Sequence, residues 1–389
     1  MKTVRRPFHS GIAASLTALA LSVRAGGDAL APAPPGAVSI GGRLGERMGQ
    51  ALRNRVMAQD VRRLTEPFRA RAEHNAGHWR GEYWGKWFTS AALAWAAWPS
   101  PELRAQLERA LDELLATRTP DGYIGTWRDS ARFGPWDIWG RKYTLLGLLA
   151  AHELLNDPRA LPAARDLAAH LRAQLEADHV RVADTGLDVL QGLASSSVLL
   201  PLARLGALSG EPQWSAFAEA IVQSWSEPGR WTPSGLRLIE AALEDRPPAT
   251  IASRKAYEMM SCFEGIAELS RLNEASRYRE AVVRFAESLR RRERMIIGSG
   301  SNQELWCDGA TFQTEQLEQP VETCVTVTWM HLCEQVLRLT GNPLWADELE
   351  LSLYNALLSA MMPDGGWWAY FSPLAGQRVA SHVQHPDVG

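Results

Sequence analysis

The run from Val325 to Met361, VTVTWMHLCEQVLRLTGNPLWADELELSLYNALLSAM, decides the fold. Its apolar residues recur at helical spacing on both sides of Gly341-Asn342-Pro343. This predicts helices over Val325–Leu339 and Leu344–Met361, joined by a tight turn. Gly210-Glu211-Pro212-Gln213-Trp214 repeats the device, a turn followed by a helix start that carries Trp. Working outward, Leu103, Leu107, Leu111, Leu114 and Leu115 mark one apolar face. Leu145, Leu146, Leu148 and Leu149 mark a second, and Leu161, Leu167 and Leu171 a third. Further helices are expected over Asp188–Leu205, Gln213–Ser224, Ala252–Leu272 and Tyr278–Arg290. Strand signals are scarce and short. The pattern predicts an all-α chain of antiparallel helical hairpins closed into an (α/α)6 toroid, with an open helical solenoid as the alternative. Such a barrel carries its site in a cup at one end of the inner helices.

With 41 Lys and Arg against 44 Asp and Glu, the net charge is −3, so no basic footprint points to nucleic acid. At 46% hydrophobic residues, the chain can bury a large core. The start has Lys2, Arg5 and Arg6 ahead of the small, apolar run Gly11–Val23, the form of an export signal. Val23-Arg24-Ala25 and Ala29-Leu30-Ala31 are the two candidate cleavage sites, and residues 1–31 are assigned to the signal. Arg5-Arg6 also fits the twin-arginine route, through which a metal-loaded cargo would cross folded. No segment reaches membrane-spanning length. Residues 32–42 read as a Pro-rich linker and 43–389 as the catalytic domain. The four cysteines form no recognised disulfide framework, and Cys262 and Cys333 fall in apolar helical patterns, where a free thiol is expected.

Three features carry candidate chemistry. Glu304 follows Gly298-Ser299-Gly300-Ser301-Asn302, small residues that let backbone approach a ligand and place one carboxyl in a cleft. Glu322-Thr323-Cys324 offers a carboxylate and a thiolate suited to Zn2+, two of the three or more protein ligands of a catalytic site. Trp367, Trp368, Tyr370 and Phe371 provide flat faces for sugar C–H surfaces. The segments around Trp79–Trp87, Pro120–Trp127 and Asp137–Tyr143 are dense in rings and charge at helix–loop junctions, and read equally well as packing and capping.

In their order along the chain, WRGEYWGKW, TPDGYIGTW, DIWGRKYTLLGLLAAHE, GSGSNQELW, VETC and DELELSLYNALL…DGGWWAYFSPL resemble glycoside hydrolase family 127, the bacterial β-L-arabinofuranosidases. The resemblance implies an (α/α)6 barrel, usually followed by β-sandwich domains that this sequence lacks. It implies a retaining, exo-acting hydrolase in which a zinc-bound cysteine thiolate attacks the anomeric carbon. Glu304 matches the general acid/base, Glu322 and Cys324 the zinc ligands, and Tyr370 a tyrosine near the sugar. Trp139, Lys142, Lys255 and Trp84 are the further substrate-binding candidates, and cations where the family commonly has His could favour an acidic sugar or a different furanoside. The family pattern then calls for two adjacent cysteines, nucleophile and third thiolate, where this chain runs His382-Val383-Gln384-His385 to Gly389. The domain is therefore expected to be incomplete at its C-terminus. The alternatives are a non-catalytic sugar-binding relative and, ranked lower, an uronide hydrolase or polysaccharide lyase built on the same barrel.

Overall fold

A computed structural model describes residues 27–72, 78–273 and 276–384. Residues 1–26, which hold most of the expected export signal, and the terminal His385–Gly389 lie outside the described residues. The described chain is helical, with only isolated bridges in place of strands. In chain order come α1 (Gly42–Ala51), α2 (Val61–Ala70), α3 (Gly81–Ala97), α4 (Pro101–Leu115), α5 (Asp137–Leu155) and α6 (Ala160–Asp178). They are followed by α7 (Leu199–Ser209), α8 (Pro212–Ser224), α9 (Ala256–Asn273), α10 (Ser276–Arg292), α11 (Thr323–Thr340) and α12 (Leu344–Leu351).

Helices α3, α5, α7, α9 and α11 pack one against the next as an inner ring. Each is backed by the helix that follows it: α4, α6, α8, α10 and α12. The first hairpin closes the circle. Helix α2 lies on α3 and α4, and Arg47 of α1 donates to the carbonyls of Met361 and Met362 at 3.1 and 2.9 Å. This is the (α/α)6 toroid. Local sequence explains its hairpins. Ser100 caps α4 by accepting from the Leu103 N–H at 3.1 Å, with Pro101 at the first helical position. Gly341 takes φ 66° at the end of α11, and Asn342 accepts from the Leu344 N–H at 3.0 Å to begin α12. The tryptophans that open α8 and α12, Trp214 and Trp345, are core residues 2% and 1% exposed.

Two expected helices are modified. The one expected over Asp188–Leu205 is broken, because Gly192 at φ 78° lies so near Ala183 that a Cβ would stand 2.2 Å from its carbonyl oxygen. Only single turns form before α7. The one expected to run to Met361 continues past α12 through a π-helical stretch, Ser352–Leu357. There Ser352 Oγ reaches the Gly298 carbonyl at 2.6 Å.

Inner helices α3 and α5 approach backbone to backbone. A Cβ on Gly85 would sit 2.0 Å from the Tyr143 carbonyl oxygen, and one on Gly147 would sit 2.4 Å from the Trp84 ring. The inner helices α3, α5, α9 and α11 all begin at the same end of the barrel as Glu82, Asp137, Lys255 and Glu322, so four helix N-termini meet there with their positive dipole ends.

Candidate active site

The segment before α11 is pinned rather than loose. Gln303 at φ 51° and Glu304 at φ 65° are the central residues of a turn closed by two bonds, Asn302 N–H to the Leu305 carbonyl at 2.9 Å and Leu305 N–H to the Asn302 carbonyl at 3.0 Å. The Glu304 carbonyl accepts from the Ala256 N–H of α9 at 3.0 Å, and Ser301 accepts from the Val321 N–H at 3.0 Å. Non-glycine residues in the left-handed region are rare, and a cluster of them marks a functional loop held by its surroundings. The glycines serve packing, not ligand approach: a Cβ on Gly300 would lie 2.4 Å from the Glu293 carbonyl oxygen.

Glu304, 30% exposed, is held from two sides. Tyr370 donates its hydroxyl to Oε1 at 3.0 Å, and Lys255 pairs with Oε2. Burial draws the Lys255 ammonium down, but Glu258, Glu304 and Glu322 outweigh it and hold the group above its ordinary value. Glu322 is the N-cap residue of α11 and is 3% exposed. Burial, then the charges of Glu304 and Glu258, push its carboxyl up to about 8. One of its oxygens, Oε2, is buried without a protein partner, and the carboxyl shares a hydrogen bond with Cys324. Burial and Glu322 raise the Cys324 thiol, against the opposing charge of Lys86. The structure thus brings Glu304, Glu322, Cys324, Tyr370 and Lys255 into one cup.

Sequence reasoning passed over several neighbours. Lys86 pairs with Glu82 at 2.9 Å, an i,i+4 contact inside WRGEYWGKW that spacing alone could have found. Glu258 is buried at 4% exposure, and burial raises its carboxyl. The Tyr143 and Tyr257 hydroxyls bond each other, and Lys86 lies 5.1 and 4.8 Å from their rings. Gln384 fixes the AYFSPL turn by accepting from the Phe371 N–H at 3.0 Å and donating to its carbonyl at 2.8 Å.

Other candidates are placed differently. Trp84 is fully buried, donating to the Ala110 carbonyl at 3.1 Å and stacking on Phe88, so it packs α3 on α4 and lies against Gly147 of α5. Trp139 is 2% exposed and spends its indole N–H on Glu82. Lys142 is 1% exposed, its ammonium 4.3 Å from the Trp139 ring and 4.7 Å from that of Tyr143. Burial pulls it down to about 8. Both stand behind the cup wall. Arg141 is committed to Asp137, Lys255 to Glu304 and Lys86 to Glu82. Among the described residues, these three cations are therefore each answered by a carboxylate and none is left over for an acidic sugar. Trp367 is held between Arg55, 4.5 Å from its ring centre, and the His382 ring at 4.7 Å.

As donors for zinc, the thiol of Cys324 and the orphaned Oε2 of Glu322 are chemically apt. Among the described residues no group of three His, Cys, Asp or Glu side chains forms a metal cluster, so these two make only part of a site.

A family model, that of the β-L-arabinofuranosidase GH127 catalytic domain, matches residues 46–387. The non-reducing end β-L-arabinofuranosidase of Bifidobacterium longum is 21% identical over 332 residues, covering 78% of this chain and 49% of that protein. A solved GH127 β-arabinofuranosidase superposes with a TM-score of 0.67 at 14% identity, over 89% of this chain and 57% of the other. The GH127 β-L-arabinofuranosidase of Geobacillus stearothermophilus T6 gives 0.63 at 17% identity, over 85% and 56%. The chain spans about half the length of these relatives. With the family model matched across nearly the whole barrel, the chain belongs to the GH127 β-L-arabinofuranosidase catalytic-domain family.

Proposed function

We propose that this barrel is the catalytic domain of a retaining, exo-acting glycoside hydrolase that removes β-L-arabinofuranose-like residues from the ends of plant or bacterial glycans. The observation that carries the reading is the seating of Glu304: one oxygen on the Tyr370 hydroxyl at 3.0 Å, the other on Lys255, within reach of Glu322 and Cys324. In this reading Glu304 gives a proton to the departing glycosidic oxygen and later takes one from the attacking water. Tyr370 and Lys255 fix the direction in which that carboxyl faces. Glu322 and Cys324 would hold zinc, which when bound keeps sulfur in its thiolate form. No nucleophile is assigned among the described residues. The compensated cations of the cup suit a neutral sugar rather than an acidic one. No helix among the described residues is long and apolar enough to cross a membrane, and the basic and apolar N-terminus supports export.

The test is turnover of p-nitrophenyl β-L-arabinofuranoside, with and without Zn2+ and a reductant. Glu304→Gln is expected to lower kcat by about 10²–10⁴-fold. Cys324→Ser should abolish any dependence on Zn2+. Full turnover in both variants would refute the assignment. Oligosaccharide binding with no hydrolysis by the unaltered protein would make the cup a recognition module.

A further inference from the structure

The segment just before the Pro-rich run is built into the barrel. Asp28 lies between two arginines of different inner helices. Its carboxylate accepts from Arg271 Nε of α9 at 2.9 and 3.0 Å, and from Arg338 of α11 at 3.0 Å. Arg271 is a core residue, its side chain only 2% exposed, and the Asp28 side chain is 11% exposed. The backbone joins in. The Ala29 and Leu30 N–H groups both donate to the Arg338 carbonyl, at 2.8 and 3.1 Å, on the last turn of α11, where helix carbonyls lack partners of their own. Arg279 of α10 donates to the Gly27 carbonyl at 2.6 Å. Residues 27–30 thus strap three helices together at the end of the barrel opposite the cup.

We propose that Asp28 is a permanent latch of the mature protein, and that export processing cuts ahead of it, after Val23-Arg24-Ala25, so that the working chain begins at Gly26. The other small-residue site, Ala29-Leu30-Ala31, would remove the latch. Among the described residues Arg271 would then keep one ion-pair partner, Glu268 at 3.1 Å, with the Gln335 carbonyl at 3.5 Å and the charge of Glu334 nearby, and would lose the carboxylate that holds its Nε. Removing one partner of a buried ion pair is strongly destabilising, because the charge left behind is poorly solvated. Two carbonyl-capping bonds on α11 would go with it. Because α9 and α11 carry Lys255, Glu258, Glu322 and Cys324 at their other ends, the latch also fixes the spacing of the helices that form the cup. This moves the end of the expected signal from residue 31 to residue 25.

The experiment is to express the full chain with its own leader in an exporting bacterial host and read the N-terminus of the purified exported protein by intact mass and N-terminal sequencing. A chain starting at Gly26 is expected. A start at Ala29 or beyond, or a leader left uncut, overturns the proposal. In parallel, Asp28→Asn and a version beginning at Pro32 are melted beside the protein beginning at Gly26. A fall in Tm of about 4–8 °C is expected for Asp28→Asn, and a larger one for the truncation. Unchanged melting of Asp28→Asn would show that the contact is not a latch. The mild variant keeps the test open should the truncated chain fail to fold.

Discussion

Two regions of the barrel bury charge in opposite ways. Behind the cup wall, Asp137 and Arg141 are 1% and 0% exposed at their side chains and satisfied on every side. Asp137 accepts from the Tyr123 hydroxyl at 2.9 Å, the Phe133 N–H at 3.0 Å and Arg141, which also donates to Gln174 at 2.9 Å. In the cup, Glu322, Glu258 and Glu304 crowd together around Lys255, and an oxygen of Glu322 goes without a partner. The first arrangement is scaffolding: every buried polar atom of the acid is answered within the protein. The second stores unfavourable free energy that a ligand can release, the condition that marks functional sites.

Breaking the scaffold should have the largest effect. Asp137→Ala leaves Arg141 and the Tyr123 hydroxyl buried without their acceptor, and is expected to cost about 3–5 kcal/mol, read by denaturant unfolding. If the cost stayed below about 1 kcal/mol, the contrast between the two regions would collapse.

The cup should answer in the opposite direction. The Glu322 carboxyl is raised from an ordinary 4.5 to about 8, so the folded chain holds its proton more tightly than the unfolded one. That contribution is complete below pH 4.5 and is lost as pH climbs through 8. Glu322→Gln should remove this decline and stabilise the metal-free protein at pH 8 by roughly 4 kcal/mol. Equal pH slopes in the two proteins would show that the carboxyl is already compensated.

Lys142 sharpens the comparison from behind the wall. Its ammonium falls from 10.5 to about 8, so between those values the unfolded chain binds more protons and stability rises with pH. Lys142→Met should therefore stabilise at pH 7 by about 2–3 kcal/mol, with the gain fading toward pH 10.5. A smaller effect is expected of Tyr370→Phe, about 1 kcal/mol in stability from the lost bond to Glu304, accompanied by reduced turnover.

The toroid was legible because its signals are local. Ser100-Pro101 and Gly341-Asn342-Pro343 act through bonds within a few residues, and the leucine faces repeat at helical spacing. The broken helix before α7 was not legible, because Gly192 is required by contact with Ala183, a neighbour that helical periodicity does not report. In the site, Glu304, Glu322, Cys324, Tyr370 and Lys255 were named from motifs and do converge. Trp84 misled because a tryptophan in an aromatic-rich motif looks the same whether it faces sugar or a neighbouring helix. The partnership of Glu258 and Tyr257 with the cup arises only when α9 meets α3 and α11, and no pattern in the chain announces it.

The glycine seam between α3 and α5 has a consequence for how such a cup can diversify. With Gly85 set against the Tyr143 carbonyl and Gly147 against Trp84, that wall can neither slide nor accept a larger residue. New preferences must then be written elsewhere on the rim, on side chains held neither by this seam nor by the pinned turn around Glu304. Libraries aimed there would explore recognition, whereas those aimed at the seam would mostly return unfolded protein.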